Sequence, residues 1–241
     1  MQSLDLGLNL WFTGEYTRMP VLEIRELKKS YLTPEGEQLS VVDVPAFTLD
    51  DGEQVALQGG SGSGKTTFLN LIAGILTPDS GSVKVAGLEF TELSEARRDT
   101  ARAERIGYIF QTFNLLSGYS ALENVLLGMM FGPGPDTARA KELLDRVGLK
   151  ERMDYRPAQL SVGQQQRVAV ARALASKPKL VLADEPTGNL DRRHAMEALE
   201  LIRKTCKENG AALLLVSHDP EVLKKFDRNE KFSALNRAAK G

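Results

Sequence analysis

Short apolar runs alternate along the chain with segments whose apolar residues recur at helical spacing. Such runs are typical of buried strands, and strands that alternate with helices predict an α/β fold with a largely parallel sheet. The predicted strands are Val21–Ile24, Val41–Val44, Gln54–Gln58, Val83–Val85, Ile106–Phe110, Leu180–Ala183 and Ala211–Val216. A turn at Pro34-Glu35-Gly36 separates the first two of them.

The middle of the chain has helical rather than strand signals. Ser120 with Glu123 three residues later is typical of a capping box and predicts a helix that runs to about Phe131. Apolar residues then recur at helical spacing until Gly148, which ends that helix. We therefore expect a mostly helical region over about residues 112–172, inserted between strands of the α/β core.

Composition and charge exclude several classes of protein. The 241 residues carry 31 Lys and Arg against 32 Asp and Glu, so the net charge of −1 gives no basic excess for nucleic-acid binding. The longest uninterrupted apolar run, Ala211–Val216, is far shorter than a membrane-spanning helix requires. The single cysteine, Cys206, lies on the apolar face of a predicted helix and favours a reducing compartment.

A glycine-rich segment directly after a predicted strand fits the pattern of a phosphate-binding loop. Its glycines let successive backbone N–H groups point into one concavity, and the helix that follows adds its positive N-terminal end. Lys65 supplies a cation for the β- and γ-phosphates, and the Thr66 hydroxyl can bind Mg²⁺. The predicted nucleotide-binding residues are Gly59, Gly60, Ser61, Gly62, Ser63, Gly64, Lys65, Thr66 and Thr67.

Two carboxylates stand at the end of the predicted strand Leu180–Ala183. Asp184 in this position can hold Mg²⁺, usually through water, and the adjacent Glu185 can polarise an attacking water molecule. A strand that merely stops at a polar turn would look the same in isolation. Beside a phosphate-binding loop, the pair predicts hydrolysis of a nucleotide.

The segment Leu160-Ser161-Val162-Gly163-Gln164, together with these two motifs, resembles the ABC transporter ATPase family. The resemblance covers about residues 19–220 and places six separate elements in the family's order. It implies a P-loop NTPase α/β core, an N-terminal antiparallel β subdomain and an inserted α-helical subdomain, within one ATPase domain over 19–241. Residues 1–18 are then a leader of uncertain status. The amino-acid sequence of residues 183–191 most resembles the branch of this family that serves lipoprotein release, macrolide export and cell division.

The resemblance also implies roles for residues around one nucleotide. Tyr31 matches the aromatic residue that stacks on adenine, and Gln111 matches the loop glutamine that senses Mg²⁺. His218 matches the switch histidine that touches the γ-phosphate. The implied catalytic set is Lys65, Gln111, Glu185 and His218, and the implied Mg²⁺ ligands are Thr66, Gln111 and Asp184.

Other residues are implied to act on the ATP of a second subunit. Ser161, Gly163 and Gln164 match the signature motif that contacts the γ-phosphate across the dimer, and Asp191 matches the dimer-contact loop. The sequence departs from the family at Val162, where glycine is usual. Because a β-branched residue is poorly suited to positive φ, we expect an ordinary backbone conformation there.

The resemblance implies an ATP-hydrolysing subunit of an ABC transporter, with ATP and Mg²⁺ bound between two head-to-tail copies. Its expected partner is an integral membrane permease subunit that holds it, as a cytoplasmic protein, against the inner face of the cell membrane. The apolar stretch Phe113, Leu115, Leu116 and Tyr119 is expected to meet a coupling helix of that partner.

Three alternatives remain open at this stage. One is an ATPase that signals through a membrane complex or regulates a cell-wall enzyme without transporting anything. A soluble phosphoryl-transfer kinase would share the phosphate-binding loop but has no need of the signature segment. A DNA-repair or translation ABC protein fits less well with the near-neutral charge.

Overall fold

The structure, a computed structural model, describes residues 20–240, and the segment 1–18 lies outside this range. The strands are β1 (Pro20–Leu32), β2 (Gln38–Asp50), β3 (Gln54–Gln58), β4 (Ser80–Val85), β5 (Leu88–Glu89), β6 (Ile106–Ile109), β7 (Leu180–Asp184), β8 (Ala212–Ser217) and β9 (Arg228–Lys231). The α-helices are α1 (Lys65–Ile72), α2 (Glu95–Arg105), α3 (Ala121–Leu127), α4 (Thr137–Arg146), α5 (Val162–Ala173), α6 (Arg192–Glu208), α7 (Pro220–Leu223) and α8 (Phe232–Leu235). The predicted α/β class is confirmed.

Strands β1, β2, β4 and β5 form an antiparallel sheet in the order β2-β1-β4-β5. The long hairpin β1–β2 turns at the predicted Pro34-Glu35-Gly36 segment and pairs Ile24 with Phe47 and Leu27 with Val44. These four side chains are buried. Both strands are 13 residues long, longer than their apolar runs, because backbone pairing continues through polar positions near the turn.

The remaining strands form a second sheet in the order β6-β7-β8-β3-β9, in which all neighbours are parallel. Every residue of β7 and β8 is buried, which explains why β7 is apolar up to Ala183 and β8 up to Val216. Parallel neighbours end at the same edge of a sheet, and the pairing of Gln58 with Ser217 brings the carboxyl ends of β3 and β8 side by side. Loops that follow these strands therefore meet.

The chain between β6 and β7 is helical in the predicted region. Helices α3, α4 and α5 pack against one another and share a cluster of buried apolar residues with the parallel sheet. The end of α5 lies close to two glycines: a Cβ on Gly107 would be 2.1 Å from the Ala173 carbonyl oxygen, and one on Gly128 2.5 Å from that of Arg172. Backbone contact at Gly107 fixes the distance between α5 and the sheet, and contact at Gly128 fixes the distance between α5 and the end of α3.

The apolar stretch after Gln111 is divided between core and surface. Phe113 is buried and Leu115 packs against the core, so the expectation that all four residues face a partner is wrong for these two. Leu116 and Tyr119 are exposed by 49 % and 45 %. The spacing of the four residues does not follow one helical face, and the loop turns two of them inward.

Several other elements differ from the sequence-based expectation. Helix α3 ends at Leu127 rather than near Phe131, since Gly128 contacts the end of α5 and the chain turns there. Helix α2 and strand β9 were not predicted. Ala101 is the one buried residue of α2, and the β9 sequence is wholly polar, so neither shows an apolar pattern.

Helix α6, of 17 residues, carries the apolar stripe predicted from its spacing. Ala195, Leu199, Ile202 and Cys206 are all buried along it, and burial raises the pKa of the Cys206 thiol to about 12. No helix within residues 20–240 is both long enough and apolar enough to cross a membrane.

The close approach at Gly107 leads to a stability prediction. We expect Gly107→Ala to lower the free energy of unfolding by roughly 1–3 kcal/mol, because the added methyl group displaces the backbone of α5. The matched control is Gly118→Ala, at a position with negative φ and no atom within 4 Å of the added Cβ. Thermal melts of both variants measure the difference, at about 2–4 °C per kcal/mol. Equal melting temperatures would contradict this account.

Candidate nucleotide-binding site

The phosphate-binding loop joins β3 to α1 and depends on glycine at two positions. Gly62 and Gly64 have φ of +76° and +90°, in the left-handed region that glycine adopts at little cost. A Cβ on Gly64 would also lie 2.7 Å from the Val41 carbonyl oxygen. Since α1 begins at Lys65, the unpaired N–H groups of its first turn stand directly after this loop and form a site suited to phosphate.

Lys65 is the buried cation of the loop. The residue is 6 % exposed, and Nζ donates hydrogen bonds to the carbonyl oxygens of Gly59, at 2.6 Å, and Gly60, at 2.8 Å. The same Nζ lies 3.5 Å from Glu185 Oε1. The loop's own backbone and one carboxylate thus hold the ammonium group where phosphate oxygens would be bound.

A cleft of about 450 Å³ opens over the loop. It is lined by Val41, Gly60, Ser61, Gly62, Ser63, Gly64, Lys65, Thr66, Thr67, Gln111, Asp184, Glu185 and His218. Twelve of these thirteen residues were predicted from the sequence to act on nucleotide or metal. Val41 was not predicted, because it lies on β2 and no local pattern connects it with the loop.

Asp184, the last residue of β7, is buried at the bottom of the cleft. Loss of solvent contact raises the pKa of its carboxyl group, the polar Thr66 side chain opposes this shift, and the nearby Glu185 charge adds to it. A carboxylate, a hydroxyl and the Gln111 amide oxygen are hard donors of the kind that Mg²⁺ prefers. The residues present therefore fit an Mg²⁺ ion that takes its remaining ligands from phosphate and water.

Glu185 has a left-handed backbone, with φ of +44°. This conformation costs a non-glycine residue roughly 1–2 kcal/mol and is often found at functional sites. Its Oε2 lies 3.0 Å from His218 Nδ1 and accepts a hydrogen bond from the His218 backbone N–H at 3.3 Å. With Lys65 beside Oε1, the carboxylate is held from both sides, and its side chain is only 12 % exposed.

The signature residues do not line this cleft. Ser161 caps α5, and its side chain and that of Gln164 form a capping box with each other's backbone N–H groups. Val162 is the first residue of α5 and has no positive φ, as predicted for a β-branched residue. It is 49 % exposed, and Gly163 has open space around it. The signature motif therefore forms an exposed N-terminus of α5, which a second molecule could contact.

Asp191 and Tyr31 also lie outside the residues that line the cleft. Asp191 is exposed and caps α6 by accepting hydrogen bonds from the N–H groups of Arg193 and His194. Tyr31, near the end of β1, is 41 % exposed, and Lys29 Nζ lies 5.7 Å from its ring centre. An exposed aromatic face at this edge is available for stacking.

Comparison with known proteins agrees with this geometry. The sequence profile of the ABC transporter family matches residues 42–188. The chain is 43 % identical over 224 residues to the lipoprotein-releasing system ATP-binding protein LolD 2 of Chlorobaculum tepidum, and the match covers 90 % of each protein.

The chain belongs to the ABC transporter family.

Other members of the family are similar to this cassette over most of its length. It is 44 % identical over 214 residues to the lipoprotein-releasing system ATP-binding protein LolD of Colwellia psychrerythraea, with 88 % of this chain and 83 % of that protein covered. The dimeric structure of MJ0796, a bacterial ABC transporter cassette, is 35 % identical with a TM-score of 0.78, covering 86 % of this chain and 92 % of that one. MJ0796 in a dimeric post-hydrolysis state bound to ADP and Pi gives a TM-score of 0.77. This ABC cassette is an ATP-binding and ATP-hydrolysing transporter subunit.

Lys65 provides a direct test of the cleft. We expect Lys65→Met, which keeps the side-chain volume but removes the charge, to weaken ATP binding by about tenfold to a hundredfold, since hydrogen bonds to charged groups contribute roughly 1.5–3 kcal/mol. Turnover should be lost as well. Titration calorimetry with ATP measures the affinity, and Lys150→Met, at an exposed lysine outside the cleft, is the control. Wild-type affinity in Lys65→Met would show that the phosphates bind elsewhere.

Proposed function

We propose that this ABC cassette is the ATP-hydrolysing subunit of a lipoprotein-releasing transporter. Its support is the identity of 43 % and 44 % to two LolD proteins, whose names describe ATP-binding proteins of lipoprotein-releasing systems. The same relatives favour transport over the signalling and cell-wall alternatives. In this proposal, an integral membrane permease subunit binds the cassette and holds it at the inner face of the cell membrane.

The observation that carries the mechanism is the separation of the signature motif from the cleft of the same chain. Ser161, Gly163 and Asp191 are outside the cleft, whereas Lys65 and Glu185 line it. A head-to-tail pair of cassettes would bring the first group of one copy to the cleft of the other. Two related structures in the family are described as dimeric, which supports this arrangement.

We assign nucleotide binding to one copy's phosphate-binding loop and Tyr31. The loop glycines and the start of α1 bind phosphate, Lys65 neutralises its charge, and the exposed Tyr31 ring stacks on adenine. The helical region 112–172 acts in this proposal as a subdomain of the ATPase domain over residues 19–241. It carries Gln164 and the rest of the signature motif toward the second copy.

We assign Mg²⁺ binding to Thr66, Gln111 and Asp184, all of which line the cleft. When bound, Mg²⁺ would neutralise the negative charge that the transferring phosphoryl group carries. Thr66 lies in the first turn of α1 and Asp184 at the end of β7, so two different elements contribute a hydroxyl and a carboxylate to the cleft. Burial around Asp184 strengthens its attraction to a cation, because little water screens the charge.

Glu185 is the residue we assign to activation of water. The His218 N–H and ring hold Oε2, so Oε1, on the side of Lys65, faces the phosphate position and can accept a proton from water. His218 is 66 % exposed and lies where a γ-phosphate would contact it. The pair therefore places a base and a phosphate sensor on two adjacent strand ends.

The role of Glu185 separates binding from chemistry. We expect Glu185→Gln to bind ATP normally, because the amide keeps the shape and removes repulsion with phosphate. Hydrolysis should fall by at least ~10²-fold, the low end for a positioned acid–base group. The variant should then accumulate as an ATP-bound dimer on size-exclusion chromatography with Mg-ATP. Glu200→Gln, at an exposed position of α6, serves as control. Hydrolysis by Glu185→Gln near the wild-type rate would overturn the assignment.

The exposed residues Leu116 and Tyr119 are the surface that we propose for the permease. The buried Asn124 side chain accepts a hydrogen bond from Leu116 N–H and donates to the Leu116, Tyr119 and Ser120 carbonyl oxygens. These hydrogen bonds fix the backbone of the loop. The exposed side chains of Leu116 and Tyr119 therefore keep a defined position although they do not pack in the core. Exposed apolar groups in a fixed loop are typical of an interface.

Leu116→Asp tests this surface. We expect at least ~5-fold less integral membrane subunit to co-purify from solubilised membranes, since an apolar interface would have to bury the new carboxylate without a partner. ATP binding should stay at the wild-type level, because the side chain lies outside the cleft. Leu39→Asp, at a leucine that is 56 % exposed on the β1–β2 hairpin, is the matched control for co-purification. Unfolding or loss of ATP binding in Leu116→Asp would assign this residue to the core.

A further inference from the structure

The loop that carries Gln111 has an unusual backbone directly after it. Phe113 and Asn114 are consecutive non-glycine residues with φ of +58° and +48°. Each left-handed residue is disfavoured by roughly 1–2 kcal/mol, so the surrounding structure must stabilise this pair. Gln111 lines the nucleotide cleft and precedes this strained pair by two residues.

Arg172, near the end of α5, holds both of these residues. Its Nη1 donates to the Asn114 carbonyl oxygen at 2.6 Å, and its Nη2 donates to that of Phe113 at 2.5 Å. Two successive left-handed residues turn their carbonyl groups to one side, where the planar guanidinium group can bind both. A lysine ammonium group lacks this fork and cannot reproduce the pair of bonds.

Asn189 holds the same loop at its other end. Its Nδ2 donates to the Gln111 carbonyl oxygen at 2.8 Å. The neighbouring Gly188 leaves room for the Gln111 side chain, since a Cβ at Gly188 would lie 3.3 Å from Gln111 Nε2. The loop is thus held between α5, which begins with the signature motif, and the segment that leads to Asp191.

We propose that Arg172 and Asn189 are positioning residues that set Gln111 in the cleft by holding the backbone of its loop. Neither residue lines the cleft, so both act through Gln111. Movement of α5 or of the 188–191 segment, both of which face a second copy in the proposed dimer, would displace Gln111. The inference rests on the proposed function, in which Gln111 is a ligand of Mg²⁺.

Arg172→Lys tests the first of the two residues, and Arg167→Lys is its matched control. Arg167 lies on the same helix, is also partly buried and donates Nη1 to the Val147 carbonyl oxygen at 2.9 Å, away from the Gln111 loop. Both variants lose an arginine–carbonyl contact from α5 and keep the charge. A general loss of α5 stability would affect them alike.

Two measurements distinguish positioning from a structural role. Hydrogen–deuterium exchange in nucleotide-free protein should be about tenfold faster over residues 111–116 in Arg172→Lys, and unchanged there in Arg167→Lys. The Mg²⁺ concentration that half-saturates ATP hydrolysis should rise about tenfold in Arg172→Lys and stay unchanged in Arg167→Lys, an effect of the size that follows removal of an outer residue that orients a metal ligand. If Arg172→Lys matches Arg167→Lys in either measurement, the inference is wrong.

Two more variants complete the experiment. Asn189→Ala, at an exposed position, should change both measurements in the same direction, and it decides the question if Arg172→Lys does not fold. Gln111→Ala tests the proposed function itself. If Gln111→Ala leaves the Mg²⁺ dependence unchanged, the assigned role of Gln111 fails. If it raises the Mg²⁺ requirement while the Arg172 and Asn189 variants do not, the positioning inference alone fails.

Discussion

The parallel pairing of β7, β8 and β3 brings together the residues on which ATP binding and hydrolysis depend. The functional residues lie at the carboxyl ends of these strands. The phosphate-binding loop follows β3, Asp184 and Glu185 lie at the end of β7, and His218 follows β8. Two bonds extend the pairing beyond the strands, from Gly59 N–H and Glu185 N–H to carbonyl oxygens at the end of β8. A shift in register would separate all of these groups, because their positions are fixed by the backbone.

Electrostatics then connects the groups that the sheet has placed together. The Lys65 ammonium, the Glu185 carboxylate and the His218 ring form a continuous series of contacts through the cleft. Since Lys65 is nearly buried, its charge is screened less than that of a surface lysine, and its contacts with carboxylate or phosphate oxygens are stronger for that reason. The left-handed backbone conformation of Glu185 is strained. The contacts of its carboxylate with Lys65 and His218 offset this strain.

The sequence predicted the features that local patterns encode. The phosphate-binding loop, the buried strands and the helix cap at Ser120 each depend on residues within a short window. It did not predict α2, which has almost no buried face, or Val41, which reaches the cleft from a different sheet. The spacing of residues also could not predict the hydrogen bond from Arg172 to a loop 58 residues earlier in the chain. This bond forms only after α5 has packed against β6.

The order of strands in the parallel sheet has a consequence for synthesis of the chain. β3, which supports the phosphate-binding loop, is paired on both sides with strands from the last 30 residues, β8 and β9. On the ribosome, β3 emerges long before either neighbour exists, whereas β1, β2 and β4 can pair early. Pairing between segments so distant in sequence is slow, since a long loop must close first. In the nascent polypeptide, the apolar segment of β3 therefore stays unpaired and exposed for most of translation. Exposed apolar segments of this kind are the sites that chaperones bind.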